Sequence, residues 1–436
     1  MRTKNLFSFL HYGIRYRRLH VISFLINMAL LVVALVHIRD ILAVGSLLVL
    51  LVTLFTNIIW QFMGTFSELY HYFGTIAADE KKMEIAFDRI EISEKERLLG
   101  YQKQIIGANG ALYSAQVNDF LQTSNPACVR SLSKEKQLKS YISRHFDTLY
   151  LFLKCRIQTA NAHKKNFSNQ QKLCLCEDLD FNRPVSFCKS CYYDTHVTNK
   201  IYFLYLFDDG ETIESPLFIE HGDRLPDLST SMMSNEIGVS TLGITNDGYL
   251  VLLQQNTRAN SSSGLLVPTG SGSADWADYH PGNFRDTIVG ATNRELYEEI
   301  GRPKGFTAES VGTTKLLGFF RWINFGGKPE FLSLTRMNVS VCDISPEKKE
   351  QAPNRQPVLW VDFAHRQLYD QAICSLVEES IANSNCSFPL AMNLLCFKEY
   401  YTQSKTELEA FLFGAELPLN LRGGHAENHV ASRSEF

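Results

Sequence analysis

The sequence predicts an α/β protein in three parts: a two-helix transmembrane hairpin, an α/β adaptor and a C-terminal α/β domain. Three observations predict it. Residues 21–38 and 41–62 are two long apolar runs, separated by Arg39 and Asp40. Beyond residue 236, short strand-like runs alternate with turn signals and surround one strongly acidic helix. Between them, residues 64–235 carry both helix and strand patterns, too regular for a linker.

At about 1.5 Å rise per residue the two apolar runs extend about 27 and 33 Å, enough for a bilayer core of about 30 Å. A second run follows the first at once with no small-residue cleavage site, which argues against a signal peptide. A buried soluble hairpin is the competing reading. Residues 1–20 hold Arg2, Lys4, Arg15, Arg17 and Arg18 and no acid. The positive-inside tendency places that end in the cytoplasm. Two spans return the chain to the same side. The expected location is therefore the cell inner membrane, multi-pass, with everything beyond residue 63 cytoplasmic.

The adaptor, 64–235, begins with a Tyr- and Phe-rich stretch at 64–78, read as an interfacial helix. Residues 83–92 alternate as a strand would. Ser93 and Glu96 form a capping-box pattern, and Leu98, Leu99, Ile105 and Ile106 are spaced for one helix face. Residues 138–155 read as one helix. Residues 200–207 read as a strand closed by Asp208, Asp209 and Gly210. Of ten cysteines, Cys174 and Cys176 form a C-x-C and Cys188 and Cys191 a C-x-x-C. Four thiolates make a zinc knot in principle, but the first spacing is too short and the second pair leads into a strand. Zinc is not expected there. Disulfides do not suit the predicted compartment. The net charge of −3 excludes bulk nucleic-acid binding, which needs a basic face. The tail, 417–436, is polar and reads as disordered.

In the C-terminal domain, 236–416, residues 237–245 and 249–255 read as strands joined by the turn Asn246, Asp247 and Gly248. Further runs stand at 265–267, 315–323, 331–339 and 358–361, and 388–401 is apolar at helical spacing. Residues 294–301 read Arg-Glu-Leu-Tyr-Glu-Glu-Ile-Gly. On a helix, Glu295, Glu298 and Glu299 fall at i, i+3 and i+4, on one face. Three adjacent carboxylates repel unless a cation joins them, and hard oxygen ligands suit Mg²⁺ or Mn²⁺. Gly301 is placed to end the helix. A solvated acidic face is the bland alternative.

This stretch resembles the Nudix box. Arg294, Glu295, Leu296, Glu298, Glu299 and Gly301 match in register. Asp286 stands for the first Glu, His280 for the opening Gly, and Arg302 for the last aliphatic residue. Pro268, Thr269 and Gly270 resemble the lead-in. An insertion with Asp275, Trp276 and Asp278 follows. The resemblance implies a Nudix-like α/β/α sandwich. It implies metal ligation by Glu295, Glu298 and Glu299, catalysis through Glu298 and Glu299, and an Asp286–Arg294 pair that holds the loop. The rebuilt loop favours binding over efficient turnover.

The order of parts resembles the transmembrane Nudix effectors of bacterial cyclic-oligonucleotide anti-phage (CBASS) systems. That resemblance implies an antiviral effector whose Nudix-like domain binds a cyclic oligonucleotide made by a partner synthase. The hairpins would then assemble as a homo-oligomer and disrupt the membrane lipid. A pocket for such a ligand needs a basic group and an aromatic to stack a base; Arg258, Arg321 and Trp322 are the candidates. The alternative is a tethered, Mg²⁺-dependent Nudix hydrolase of a nucleoside diphosphate derivative.

Overall fold

The computed structural model describes residues 3–16, 29, 56 and 78–414, apart from 164–166, 168, 181, 209, 256–263, 347–350, 360, 363–366, 369 and 383–384. The chain begins with helix α1 (Thr3–Tyr16). Strand β1 (Asp79–Lys82) and a short helix α2 (Glu94–Leu98) follow. The Ser93 and Glu96 capping box forms as its sequence predicts. Then come β2 (Gln102–Ile106), β3 (Asn109–Tyr113), α3 (Ala115–Thr123) and β4 (Cys128–Arg130). The next helices are α4 (Leu132–Arg144) and α5 (Phe146–Ala162). They precede β5 (Gln171–Leu175), β6 (Val185–Cys191) and α6 (Tyr192–His196). The hairpin β7 (Leu204–Asp208) and β8 (Glu211–Glu214) leads to α7 (Pro216–His221).

The larger sheet takes β9 (Gly238–Ile244), β10 (Tyr249–Gln255), β11 (Leu266–Val267) and β12 (Gly270–Ser273). Helix α8 (Phe284–Glu299) follows, then β13 (Gly312–Trp322), β14 (Lys328–Met337) and β15 (Gln351–Leu359). A small pair, β16 (Val361–Asp362) and β17 (Gln367–Leu368), precedes α9 (Asp370–Ala382), α10 (Phe388–Gln403) and α11 (Lys405–Phe413). The sheet runs β11-β10-β9-β14-β13-β3-β2, with β12 on β9 and β15 on β10. β9 and β14 are parallel; the rest are antiparallel.

Strand alternation builds two cores. Leu332 and Leu334 of β14 join Leu242, Leu252 and Phe320 beneath α10. Phe331 and Phe319 turn the other way, toward Phe284, Ile288 and Ala291 of α8. Those three, with Thr287 and Leu296, are buried at helical spacing, which fixes the face α8 presents to solvent.

Several sequence expectations are corrected. The transmembrane hairpin expected at 21–38 and 41–62 lies, apart from residues 29 and 56, outside the described residues. Among the described residues no helix is long and apolar enough to cross a membrane. The longest, α5, has 17 residues and carries Asp147, Lys154 and Arg156. Among the described residues the fold class is thus mixed α/β with no membrane-crossing helix, and the expected multi-pass inner-membrane location is not supported. The helix expected across Leu98 to Ile106 stops at Leu98, which is exposed, and the chain turns into β2. Gly100, at φ 75°, makes that turn. The helix expected at 138–155 is two helices that meet at His145. Residues 83–92 form no strand of their own.

β2 and β3 belong to the segment assigned to the adaptor, yet they extend the C-terminal sheet through β13.

Candidate functional site

The acidic face of α8 lies under β12. The fit depends on two glycines. A Cβ on Gly270 would stand 2.6 Å from the Leu296 Cα, and one on Gly272 would stand 2.2 Å from the Glu295 carboxylate. No larger residue lets the strand come this close. At the far end, Gly301 takes φ 93°, as a helix-ending glycine does, and a Cβ there would strike the Ser345 carbonyl.

The three glutamates have different surroundings. Glu295 is largely buried and accepts from Arg294 Nη1 at 2.9 Å. Burial raises its pKa to about 7, against the pull of Arg294 and Lys172. Glu299 accepts from the Ser271 backbone N–H at 2.6 Å. Glu298 is exposed and pairs with Arg302 at 3.3 Å. Hard oxygen donors on successive turns fit Mg²⁺ or Mn²⁺ in kind. Their oxygens do not converge, however: Glu295, Glu298 and Glu299 do not place one oxygen each within 4.8 Å of one another. A bound divalent ion would need Glu298 and Glu299 as its first ligands, with Glu295 leaving Arg294 to complete the set.

Arg294 does not pair with Asp286. Its Nε and Nη2 donate to Asp278 at 3.0 and 2.9 Å, and Nη2 also reaches the Ser273 carbonyl. Asp278 belongs to the insertion. Eight helix positions separate Asp286 from Arg294, about 12 Å of rise, too far for the shorter acid. Asp286 instead accepts from Asn283 Nδ2 at the N-terminus of α8.

The insertion also joins the two halves of the molecule. Asp275 accepts from Lys172 of β5 at 2.7 Å, and Leu173 N–H donates to the Ala274 carbonyl. Trp276 stacks on Tyr279 at 5.0 Å, with Arg130 over its ring at 4.8 Å and Lys189 at 5.7 Å. The clamp Asp278, the bridge Lys172 and the plug Trp276 were not foreseen in these roles. The acids and the Trp inside an insertion were the only signal.

The proposed ligand residues do not come together. Arg258 lies outside the described residues. Arg321 is fully buried: its Nη1 donates to Glu96, Nη2 to the Pro226 carbonyl at 2.8 Å and Nε to the Gly327 carbonyl at 3.2 Å. That leaves no exposed donor for a phosphate. Trp322 is 9% exposed and packs on Phe325 and Phe388, its indole Nε1 without a partner. Glu96, Asp178 and Asp227 do place oxygens within 4.8 Å of one another. Their positive charge is already supplied by Arg321 and by Lys95, which donates to Asp178 at 2.9 Å.

Cys174, Cys176 and Cys188 share one buried cluster. Cys174 and Cys188 are cross-strand partners. Cys191 is three residues beyond Cys188 on β6, so alternation turns it to the opposite face and into another core. The four thiols therefore do not enclose one ion.

No family model and no curated protein matches the chain. Among solved structures it is similar to the MutT protein from Methanosarcina mazei Go1, at 14% identity and TM-score 0.25, over 38% of this chain and 96% of that one. It is also similar to DR0079 from Deinococcus radiodurans, at 12% identity and TM-score 0.25, over 37% of this chain and 81% of that one.

Proposed function

We propose that the α8 face is a Mg²⁺-assisted site for the phosphates of a cyclic oligonucleotide, and that it binds this ligand rather than turning it over. The observation behind the reading is the Arg294 clamp. One guanidinium ties the metal-ligand candidate Glu295 to Asp278 of a loop fixed on the adaptor. A carboxylate so held, beside two that do not converge on it, suits occupancy more than repeated chemistry. Phosphate entering with Mg²⁺ would draw Glu295 away from Arg294. The freed guanidinium and Lys172 would then carry the change to β5. A ligand that binds the rearranged state better shifts its population by that difference in affinity. A cyclic oligonucleotide as ligand and a synthase as partner belong to this proposal.

Hydrolysis of a linear nucleoside diphosphate derivative is the second reading. One observation favours it: a carboxyl with a pKa of about 7 suits a general base at neutral pH.

One titration separates the two. The full chain, with Mg²⁺, is melted in the presence of cyclic di- and trinucleotides, nucleotide sugars and dinucleotide polyphosphates. Stabilisation by one cyclic species that is recovered intact is the expected result. Stabilisation only by linear diphosphates that return cleaved would replace the binding reading with the hydrolase.

A further inference from the structure

A cavity of about 950 Å³ lies away from the α8 face. β1, α5 and residues 196–204 contribute to its wall, as do Asn109 at the start of β3 and Asn324 in the connection between β13 and β14. One wall gathers three nitrogen side chains. Arg156 Nη1 lies 3.0 Å from His196 Nδ1, and Lys200 Nζ lies 3.1 Å from His196 Nε2.

These contacts cannot all be satisfied within the protein. Burial first, then the charges of Lys200 and Arg156, hold the His196 pKa well below its ordinary value, so the ring is neutral. A neutral imidazole accepts at one nitrogen and donates at the other. Arg156 and the Lys200 ammonium can each only donate, so one of the two contacts meets a ring N–H; in the tautomer whose Nδ1 is the acceptor, Arg156 is the satisfied one. The Nε2–H then faces the Lys200 ammonium, donor against donor. Arg156 is neutralised by Glu80, which accepts from it at 2.7 and 3.2 Å. Lys200 has no such direct partner: among the described residues no carboxylate oxygen lies within 4.0 Å of its Nζ, the Tyr192 ring stands at 5.0 Å, burial lowers the Lys200 pKa to about 8, and the buried Glu236 and Glu330 act on it only from beyond pairing distance. Asp79 and Glu84 also line the cavity, but both are exposed, at its rim. Phe87 and Phe203 supply apolar lining.

We infer that this cavity binds a phosphate-bearing ligand of nucleotide size, whose phosphate accepts from Lys200 Nζ and His196 Nε2–H and whose flat apolar part lies along Phe87 and Phe203. The volume lies within the range of about 300–1,000 Å³ usual for small-molecule sites. An anion at this point resolves the donor–donor contact and gives Lys200 a direct anionic partner. The site needs no divalent metal and does not rest on the reading of the α8 face.

The test is calorimetric titration of the full chain in EDTA, first with inorganic pyrophosphate and then with AMP. EDTA silences any metal-dependent site. Both probes are expected to bind saturably, AMP the more tightly. Lys200→Gln should weaken both about tenfold to a hundredfold, the loss of one charge-assisted hydrogen bond. Thr159→Trp should abolish binding by filling the cavity from an exposed position of α5, where folding is spared. Glu298→Gln should change nothing. Absence of saturable binding by either probe overturns the inference. So does wild-type affinity in Thr159→Trp, which decides the matter even if Lys200→Gln fails to fold. Binding that appears only when Mg²⁺ replaces EDTA, and is lost in Glu298→Gln, would place the anion on α8 and overturn it equally. Equal affinity for the two probes would overturn the aromatic half of the assignment.

Discussion

Arg294 donates to Asp278 through Nε at 3.0 Å and Nη2 at 2.9 Å, while its Nη1 holds Glu295 at 2.9 Å. A single guanidinium thus joins the inserted loop to the acidic helix face. Asp278 is 9% exposed, so its charge is screened little by water.

Removing that charge should cost more than removing the nearby Asp286. Asp278→Asn is expected to destabilise the fold by about 1–3 kcal/mol, since Arg294 is left half-buried with a weaker partner. Asp286→Asn, at an exposed first turn, should stay within about 0.5 kcal/mol. Urea unfolding of both variants measures this. Equal losses would mean that Arg294 is not the clamp.

Gly270 and Gly272 should fail in different ways. The Cβ of Gly270→Ala meets helix backbone, which cannot move alone, so a loss of about 2–4 kcal/mol is expected. The Cβ of Gly272→Ala meets only the Glu295 carboxylate, the end of a movable side chain. That variant should keep most of its stability but weaken Mn²⁺ binding. Thermal melts beside Mn²⁺ titration followed by electron paramagnetic resonance separate the two. A Gly272→Ala protein with native Mn²⁺ affinity would remove Glu295 from the metal set.

Several elements of the large sheet and its helices were legible because their signals are local. Turns at Asn246 to Gly248, alternating strands and the apolar spacing of 388–401 each fix their own element. The box helix and Gly301 were legible for the same reason. The clamp was not, since Arg294 reaches 16 residues back into an insertion that has no helical period. Arg321 misled because a lone cation in a strand reads alike whether it meets a ligand or Glu96, 225 residues away. The expected membrane spans rested on apolar length alone, and the described helices do not supply one.

Arg321 is expected to act on folding only. Arg321→Met leaves Glu96 buried without its cation, at a cost of about 3–5 kcal/mol. Arg321→Met with Glu96→Gln should recover part of that loss, because the orphaned charge is gone. Chemical denaturation of the single and double variants tests this. A double variant no better than Arg321→Met would show that Glu96 is not the partner that matters. Arg321→Lys that weakened ligand binding while melting at the wild-type temperature would return Arg321 to the ligand site.

Glu295 should set a pH dependence opposite to that of most carboxylates. Its folded pKa is raised to about 7, above the ordinary 4.5. Between those values the folded state holds a proton that the unfolded state has lost, so stability falls as pH rises through this window. Below pH 4.5 the group is protonated in both states and exerts no drag. Glu295→Gln should therefore melt higher than wild type at pH 8, by about 1–3 kcal/mol, with the gap closing toward pH 4.5. Mg²⁺ needs the ionised carboxylate, so wild-type affinity should climb between pH 6 and pH 8. A Glu295→Gln variant whose stability tracks wild type at every pH would show that Glu295 is ionised at neutral pH. Its pKa would then be the ordinary one, too low for an efficient general base near pH 7, and the observation that favours hydrolysis would be lost.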